Sequence, residues 1–220
     1  KVIYGLEYAG YTLKDDDGTV YIYGSGDIPG ICTRLGFVAR VKSGDLTNDW
    51  EFYDNKTKQW STNISWQGQW KDGDDPDPVL KRWEEAAMAT NPIFVFKDGG
   101  KYFGLTQPGK CFSSKIEVYE TDSPYGPFKN PKVVGVLPSE INSGDYFSSL
   151  LAVHPQYSKN GELFFSVSKN TNKPLSTWFE DKEGSADTYL PYFFRSKNWP
   201  ISSLPMRRCF YLYNRCLKIN

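Results

Sequence analysis

A pattern that recurs three times constrains this chain more than any other feature. Each copy has an apolar strand, a tight polar turn ending in glycine, and a second aromatic strand. The first copy runs Tyr8-Ala9-Gly10-Tyr11-Thr12-Leu13-Lys14, then Asp15-Asp16-Asp17-Gly18, then Thr19-Val20-Tyr21-Ile22-Tyr23-Gly24. The second runs Asn91-Pro92-Ile93-Phe94-Val95-Phe96, then Lys97-Asp98-Gly99-Gly100, then Lys101-Tyr102-Phe103-Gly104-Leu105-Thr106. The third runs His154-Pro155-Gln156-Tyr157-Ser158, then Lys159-Asn160-Gly161, then Glu162-Leu163-Phe164-Phe165-Ser166-Val167. Asp-Gly and Asn-Gly between apolar runs signal hairpins, because Gly and Asn accept positive φ. Repetition at this scale marks an architecture built from one repeated unit.

Further strands follow each hairpin. Gly36–Val41, Lys115–Glu120 and Tyr189–Arg195 read as third strands, and Trp50–Tyr53 and Val133–Leu137 as fourth strands. Repeated four-stranded meanders predict an all-β fold of β-propeller type, with a β-sandwich as the alternative. The expected blades span residues 8–54, 86–138 and 150–195 of a single domain covering 1–220. Three blades are fewer than the usual four to eight, so the expected propeller is degenerate in one blade or longer than this chain. Residues 55–85 form an insertion holding Trp60, Trp66, Trp70 and Trp83, four of the seven tryptophans. After Arg195 the text turns basic and loses the blade pattern, so residues 196–220 read as an atypical tail.

Composition removes several classes of function. Lys and Arg total 26 and Asp and Glu total 26, with no dense basic stripe before residue 195, so the electrostatic footprint of a nucleic-acid binder is missing. No apolar run approaches bilayer-spanning length. Cys32, Cys111, Cys209 and Cys216 form no C-x-x-C pair, which leaves a choice between free thiols and one or two disulfides, Cys209–Cys216 among them. The chain opens Lys1-Val2-Ile3-Tyr4 without Met or signal peptide, and it carries sequons at Asn55 and Asn63. The expectation is a processed or trimmed terminus and a secreted, periplasmic or cell-surface location.

The phrase Val118-Tyr119-Glu120-Thr121-Asp122-Ser123-Pro124-Tyr125-Gly126-Pro127-Phe128 resembles the outer-strand signature of five-bladed glycoside-hydrolase-like propellers of the family 43 type. Gly99–Phe103 and Asp17–Gly24 resemble their inner hairpin, and the resemblance extends over roughly residues 7–195. It implies a carbohydrate partner and, in the hydrolases of the group, acids around a central pocket. One carboxyl protonates the leaving oxygen while a second activates water or attacks carbon. Carried over by position, Glu7 takes the first blade's inner edge. Asn91 and His154, each before a proline, take the matching places in the other two, and neither is an acid. Glu85 (with its neighbour Glu84) and Asp145 lie a few residues upstream and are the candidate partners of Glu7.

Each candidate has a plainer reading. Glu7 suits a pocket or an exposed strand face equally, Glu84 and Glu85 a solvated helical turn, and Asp145 the turn Ser143-Gly144-Asp145-Tyr146. His154, the only histidine, orients a substrate hydroxyl or bonds structurally at a strand start. Tyr8, Trp66 and Trp70 are the candidate sugar platforms, since aromatic faces stack on sugar rings. The Asp72–Asp77 run offers oxygens of the kind calcium takes, but it lacks the glycine and distal Glu of the twelve-residue calcium loop. No cofactor or metal site is expected, with calcium the one option left open. Three functions follow: a glycoside hydrolase, a non-catalytic glycan-binding propeller, or a scaffold docking a protein through the Trp-rich insertion.

Overall fold

The computed structural model describes residues 2–3, 6–28, 31–54, 57–62, 93–108, 113–142, 144–158, 161–171, 191–197, 199, 209–212 and 215–218. Among these residues the fold is all-β, with one short 3₁₀ turn at Pro155–Tyr157. The strands form three sheets in which each strand lies beside its neighbour in sequence. Every pair with a defined register is antiparallel. The first sheet holds β1 (Val2–Ile3), β2 (Leu6–Lys14), β3 (Val20–Ile28), β4 (Ile31–Val41), β5 (Glu51–Asp54) and β6 (Gln59–Ser61), in that order. The second holds β7 (Phe94–Asp98), β8 (Lys101–Thr106), β9 (Lys115–Thr121) and β10 (Lys129–Val136). The third holds β11 (Tyr146–Val153), β12 (Glu162–Thr171), β13 (Pro191–Lys197), β14 (Cys209–Leu212) and β15 (Arg215–Lys218). The chain divides into two compact units, residues 1–111 with 118–132, and residues 112–117 with 133–220.

In the first unit the hairpins form where the turn chemistry demands. The Gly18 N–H donates to the Asp15 carbonyl at 3.0 Å, with Gly18 at φ +86°, and the Asp17 carboxylate accepts from the Thr19 N–H and hydroxyl. Gly99 and Gly100, both at positive φ, close β7 onto β8 in two residues, the geometry that suits the strands' own twist. Tyr21 and Tyr23 of the first sheet bury against Ile93, Val95, Tyr102 and Tyr119. Tyr11 meets Phe94 edge-on at 4.8 Å. Alternation puts these rings on one face, and burial of each large aromatic is worth about 1.5–3 kcal/mol.

The phrase Ser123–Phe128 is a clasp within this unit. The buried Tyr23 hydroxyl donates to the Pro124 carbonyl at 2.7 Å. The Ser123 hydroxyl donates to the Gly126 carbonyl, Gly126 holds φ +94°, and Phe128 lies over Gly104. Arg40 covers the Trp60 ring at 4.0 Å, and Tyr53, Trp60 and Tyr125 contact one another with centroids 4.8–5.3 Å apart.

In the second unit, Leu163, Phe165, Val167 and Phe194 are buried, with Phe165 and Phe194 stacked at 5.4 Å. The sequence places a strand at His154–Ser158, and the structure corrects this. The strand preceding β12 is Tyr146–Val153, and residues 155–157 form the 3₁₀ turn. Proline fits the first turn of a helix because it has no N–H to offer a ladder, so Pro155 ends the strand rather than continuing it. The tail residues 209–212 and 215–218 form a hairpin, with Cys209 opposite Lys218 and Cys216 opposite Tyr211.

Candidate functional site

Strand register decides which residues share equivalent places in the repeated hairpins. In the first sheet Tyr11 pairs with Tyr23, a bulge follows, and then Tyr8 pairs with Gly24 and Glu7 with Ser25. In the third sheet Ala152 pairs with Ser166, a bulge follows, and then Ser149 pairs with Ser168 and Ser148 with Lys169. Counted along β3 and β12, Ser25 lies two residues past Tyr23 as Ser168 lies two past Ser166, so Glu7 corresponds to Ser149 and Tyr8 to a place inside the bulge. Bulges re-aim side chains and gather beside active sites, so this end of the first strand is the candidate site in each hairpin.

Glu7 sits in β2 between Val2 of β1 and Ser25 of β3, and Ser25 is buried. Tyr8 is paired with Gly24 in the ladder. In the third sheet Ser148 is buried, and its N–H donates to Asn142 Oδ1 at 3.2 Å. The Asn170 amide donates to Ser149 Oγ and to the Ser168 carbonyl. Lys169 Nζ lies 3.8 Å over the Tyr146 ring. Asp145 is exposed just before β11, and its carbonyl accepts from Thr171 Oγ1 at 3.1 Å.

His154 stands at the other end of β11. Its N–H donates to the Phe164 carbonyl at 2.9 Å, in the ladder place that Leu13 fills in the first sheet. Its Nε2 lies 2.9 Å from the buried Ser166 Oγ, and its ring sits 5.7 and 6.0 Å from the stacked rings of Phe164 and Phe193. Burial pushes its pKa below the ordinary histidine value. The matching place to Glu7 in the third hairpin is therefore Ser149 rather than His154. Sequence alone places His154 there because Asn91 and His154 share a following proline.

Glu85, Trp66, Trp70 and Asn91 lie outside the described residues, as do Glu84 and the Asp72–Asp77 run. Glu7 and Asp145 fall in different units. Among the described residues no three His, Cys, Asp or Glu side chains gather as metal ligands would.

Two features escape sequence reading. Asp15 is partly buried, which raises its pKa, but hydrogen bonds from Lys97 Nζ (2.8 Å) and the Tyr102 hydroxyl (2.6 Å) bring it below the usual carboxylate value. Lys97 also reaches Asp16 at 2.8 Å, so the 15–18 turn is tied to β7 and β8 by charge-assisted bonds. Glu117 on β9 is half-buried, and burial raises its pKa against the weaker pull of Lys115. A raised carboxyl is what a proton donor needs, and the even alternation of β9 is the signal that would have singled it out.

Solved structures resembling the chain include one from Bacteroides ovatus described as "a putative hydrolase", 26% identical with a TM-score of 0.67, covering 88% of this chain and 45% of that one. The chain thus spans less than half the length of that structure. A thermostable family-43 glycoside hydrolase is 19% identical with a TM-score of 0.43, covering 89% of this chain and 58% of that one. An exo-1,5-α-L-arabinanase from a bovine ruminal metagenomic library is 11% identical with a TM-score of 0.33, covering 83% and 72%. No curated protein matches the chain. Residues 1–199 match the model of a family described as "Domain of unknown function (DUF5005)".

Proposed function

The chain belongs to the DUF5005 family, a domain of unknown function, and from that premise we propose that it is the glycan-acting part of a five-bladed, glycoside-hydrolase-like propeller. The observation that carries the reading is the likeness, over 88% of the chain, to the Bacteroides ovatus structure described as "a putative hydrolase". The meander order of all three sheets supports it, since blades are sheets whose strands neighbour one another in sequence. In this reading residues 1–220 are one domain with the Trp-rich segment 55–85 inserted between its first two blades. The substrate is a poly- or oligosaccharide met outside the cytoplasm.

Glu7 is the nucleophile or base, and Glu85 or Asp145 the proton donor. Tyr8, Trp66, Trp70, Asn91 and His154 position the sugar. The test is turnover of aryl glycosides and of arabino- and xylo-oligosaccharides by wild type and Glu7→Gln. Loss of turnover with glycan binding kept is expected. An unchanged rate removes Glu7 from the mechanism.

A second reading, a glycan-binding propeller without turnover, is favoured by one observation: the register counterpart of Glu7 in the third sheet is the half-buried Ser149, not an acid. It predicts saturable sugar binding and no hydrolysis at any pH.

A further inference from the structure

Leu150 is one of two described non-glycine residues at positive φ, and it lies within a strand. It holds φ +53° within β11, a conformation that crowds the Cβ of any residue but glycine. A branched apolar residue rarely keeps such a place unless something repays it. Burial does not repay it here, because Leu150 is 68% exposed while the adjacent Leu151 is 3% exposed.

The cause is the bulge between Ser149 and Ala152, which splits two consecutive leucines, one into the core and one into solvent. β11 is the end strand of its sheet, so Leu150 stands at a sheet edge. The next residue toward the N-terminus, Ser149, holds the place of Glu7 in the first hairpin, since Ser168 opposite it stands where Ser25 does.

We propose that Leu150 is a ligand-contact residue, turned outward by the bulge to lay its isobutyl group against the C–H face of a sugar ring. This deepens the carbohydrate reading and rests on it. The chemistry of the surroundings matches a ring with an apolar face and a hydroxyl rim. Ser149 Oγ and the Asn170 amide already bond one another beside the bulge. Lys169, opposite Ser148 in the ladder, is turned onto the Tyr146 ring. Hydroxyl and amide groups around one exposed aliphatic side chain suit a neutral polyol better than an anion. The strain belongs to the same account. It is kept at a functional place because the outward leucine is worth more to binding than a relaxed backbone is to folding.

The experiment measures oligosaccharide binding by titration calorimetry, using the arabino- and xylo-oligosaccharide panel, beside thermal melts of wild type, Leu150→Gly and Leu150→Ala. Glycine relieves the positive φ, so Leu150→Gly should melt about 2–4 °C higher. It should bind about tenfold more weakly, as loss of an apolar contact of this size implies. Alanine keeps the strained backbone and loses the contact, so Leu150→Ala should bind weakly without the gain in melting temperature. A wild type that binds and variants that bind equally well overturn the role of Leu150 and leave the carbohydrate reading standing. A wild type that binds nothing in the panel overturns the carbohydrate reading, and the role of Leu150 with it. A Leu150→Gly variant that melts lower than wild type overturns the strain argument.

Discussion

Replacing Tyr23 by Phe isolates one atom that holds the first unit together. The ring is 2% exposed and packs among Tyr21, Ile93, Val95, Tyr102 and Tyr119, and Phe keeps all of that packing. What goes is a 2.7 Å hydrogen bond to the Pro124 carbonyl. Pro124 is itself buried, so its carbonyl loses the bond without gaining free access to water. A net hydrogen bond is worth about 1 kcal/mol, and a buried acceptor left unmade adds to that, giving about 1–2 kcal/mol in total. For a chain of this size the melting temperature should fall by about 3–6 °C. Urea titration should show a lower midpoint with an unchanged slope, because the surface exposed on unfolding is the same. Burial holds the Tyr23 pKa well above that of a free tyrosine, so the donor persists and the difference between the two proteins should be flat from about pH 5 to 9. A melting temperature within 1 °C of wild type would refute the idea that the Ser123–Phe128 turn is clasped through this bond. So would a difference that varies across that pH range.

Three further outcomes follow from the same structure. Gly104→Ala places a Cβ onto Ile93 Cδ1, 3.0 Å from Ile93 Cγ1 and 3.1 Å from Phe128, so it should destabilise by about 1–3 kcal/mol in urea titration. Ile93→Val in the same chain removes the colliding methyl and should restore part of the loss; no restoration would mean that the clash lies elsewhere. His154 has a lowered pKa in the folded state, so between that value and about 6.5 the unfolded chain binds a proton that the folded chain does not. The stabilisation is complete above about pH 6.5 and is lost as pH falls through the folded value. The stability of wild type relative to His154→Asn should therefore shrink between about pH 7 and pH 5 in chemical denaturation, and a difference that grows with acidity would sink the assignment. Among the described residues, the charged groups beside this ring are Arg195, stacked over Phe164, and Glu162, paired with Arg195. Asp15→Asn keeps the shape of the 15–18 turn but removes the charge that draws Lys97 and Tyr102 to it, and it should lower the melting temperature less at high salt than at low salt.

The hairpins were legible because their turns require something only certain residues supply. Gly18, Gly99, Gly100 and Gly161 all hold positive φ, and each ends a turn foreseen from sequence. The third and fourth strands were legible through alternation, as in Lys115–Thr121 with its nearly regular burial. β11 was not legible. Its sequence, Tyr-Phe-Ser-Ser-Leu-Leu-Ala-Val, has adjacent serines and adjacent leucines, and neither follows a period of two. The bulge explains why: an extra residue shifts the alternation, so Leu151 and Val153 are buried while Leu150 is not. The apolar stretch at His154–Ser158 looked like the missing strand because it stood one glycine turn ahead of β12. The sheet had already taken its partner from residues upstream.

The same shift explains why the candidate site was harder to read than the fold. Motifs such as Ser123–Phe128 reflect local requirements, a left-handed glycine, a carbonyl for Tyr23 and a ring over Gly104, and those requirements are met wherever the turn appears. They identify the architecture and say little about chemistry. The chemistry depends on which residue a bulge delivers to the end of the first strand, and a slip of one residue exchanges one face for the other. Glu7 and Ser149 share that place by register although nothing in their local sequences matches. The residue at that place differs between the hairpins, a carboxyl in the first and a hydroxyl beside an exposed leucine in the third. The Glu7→Gln and Leu150→Gly variants should therefore separate cleanly, the first losing turnover while it keeps binding and the second losing binding while it gains stability.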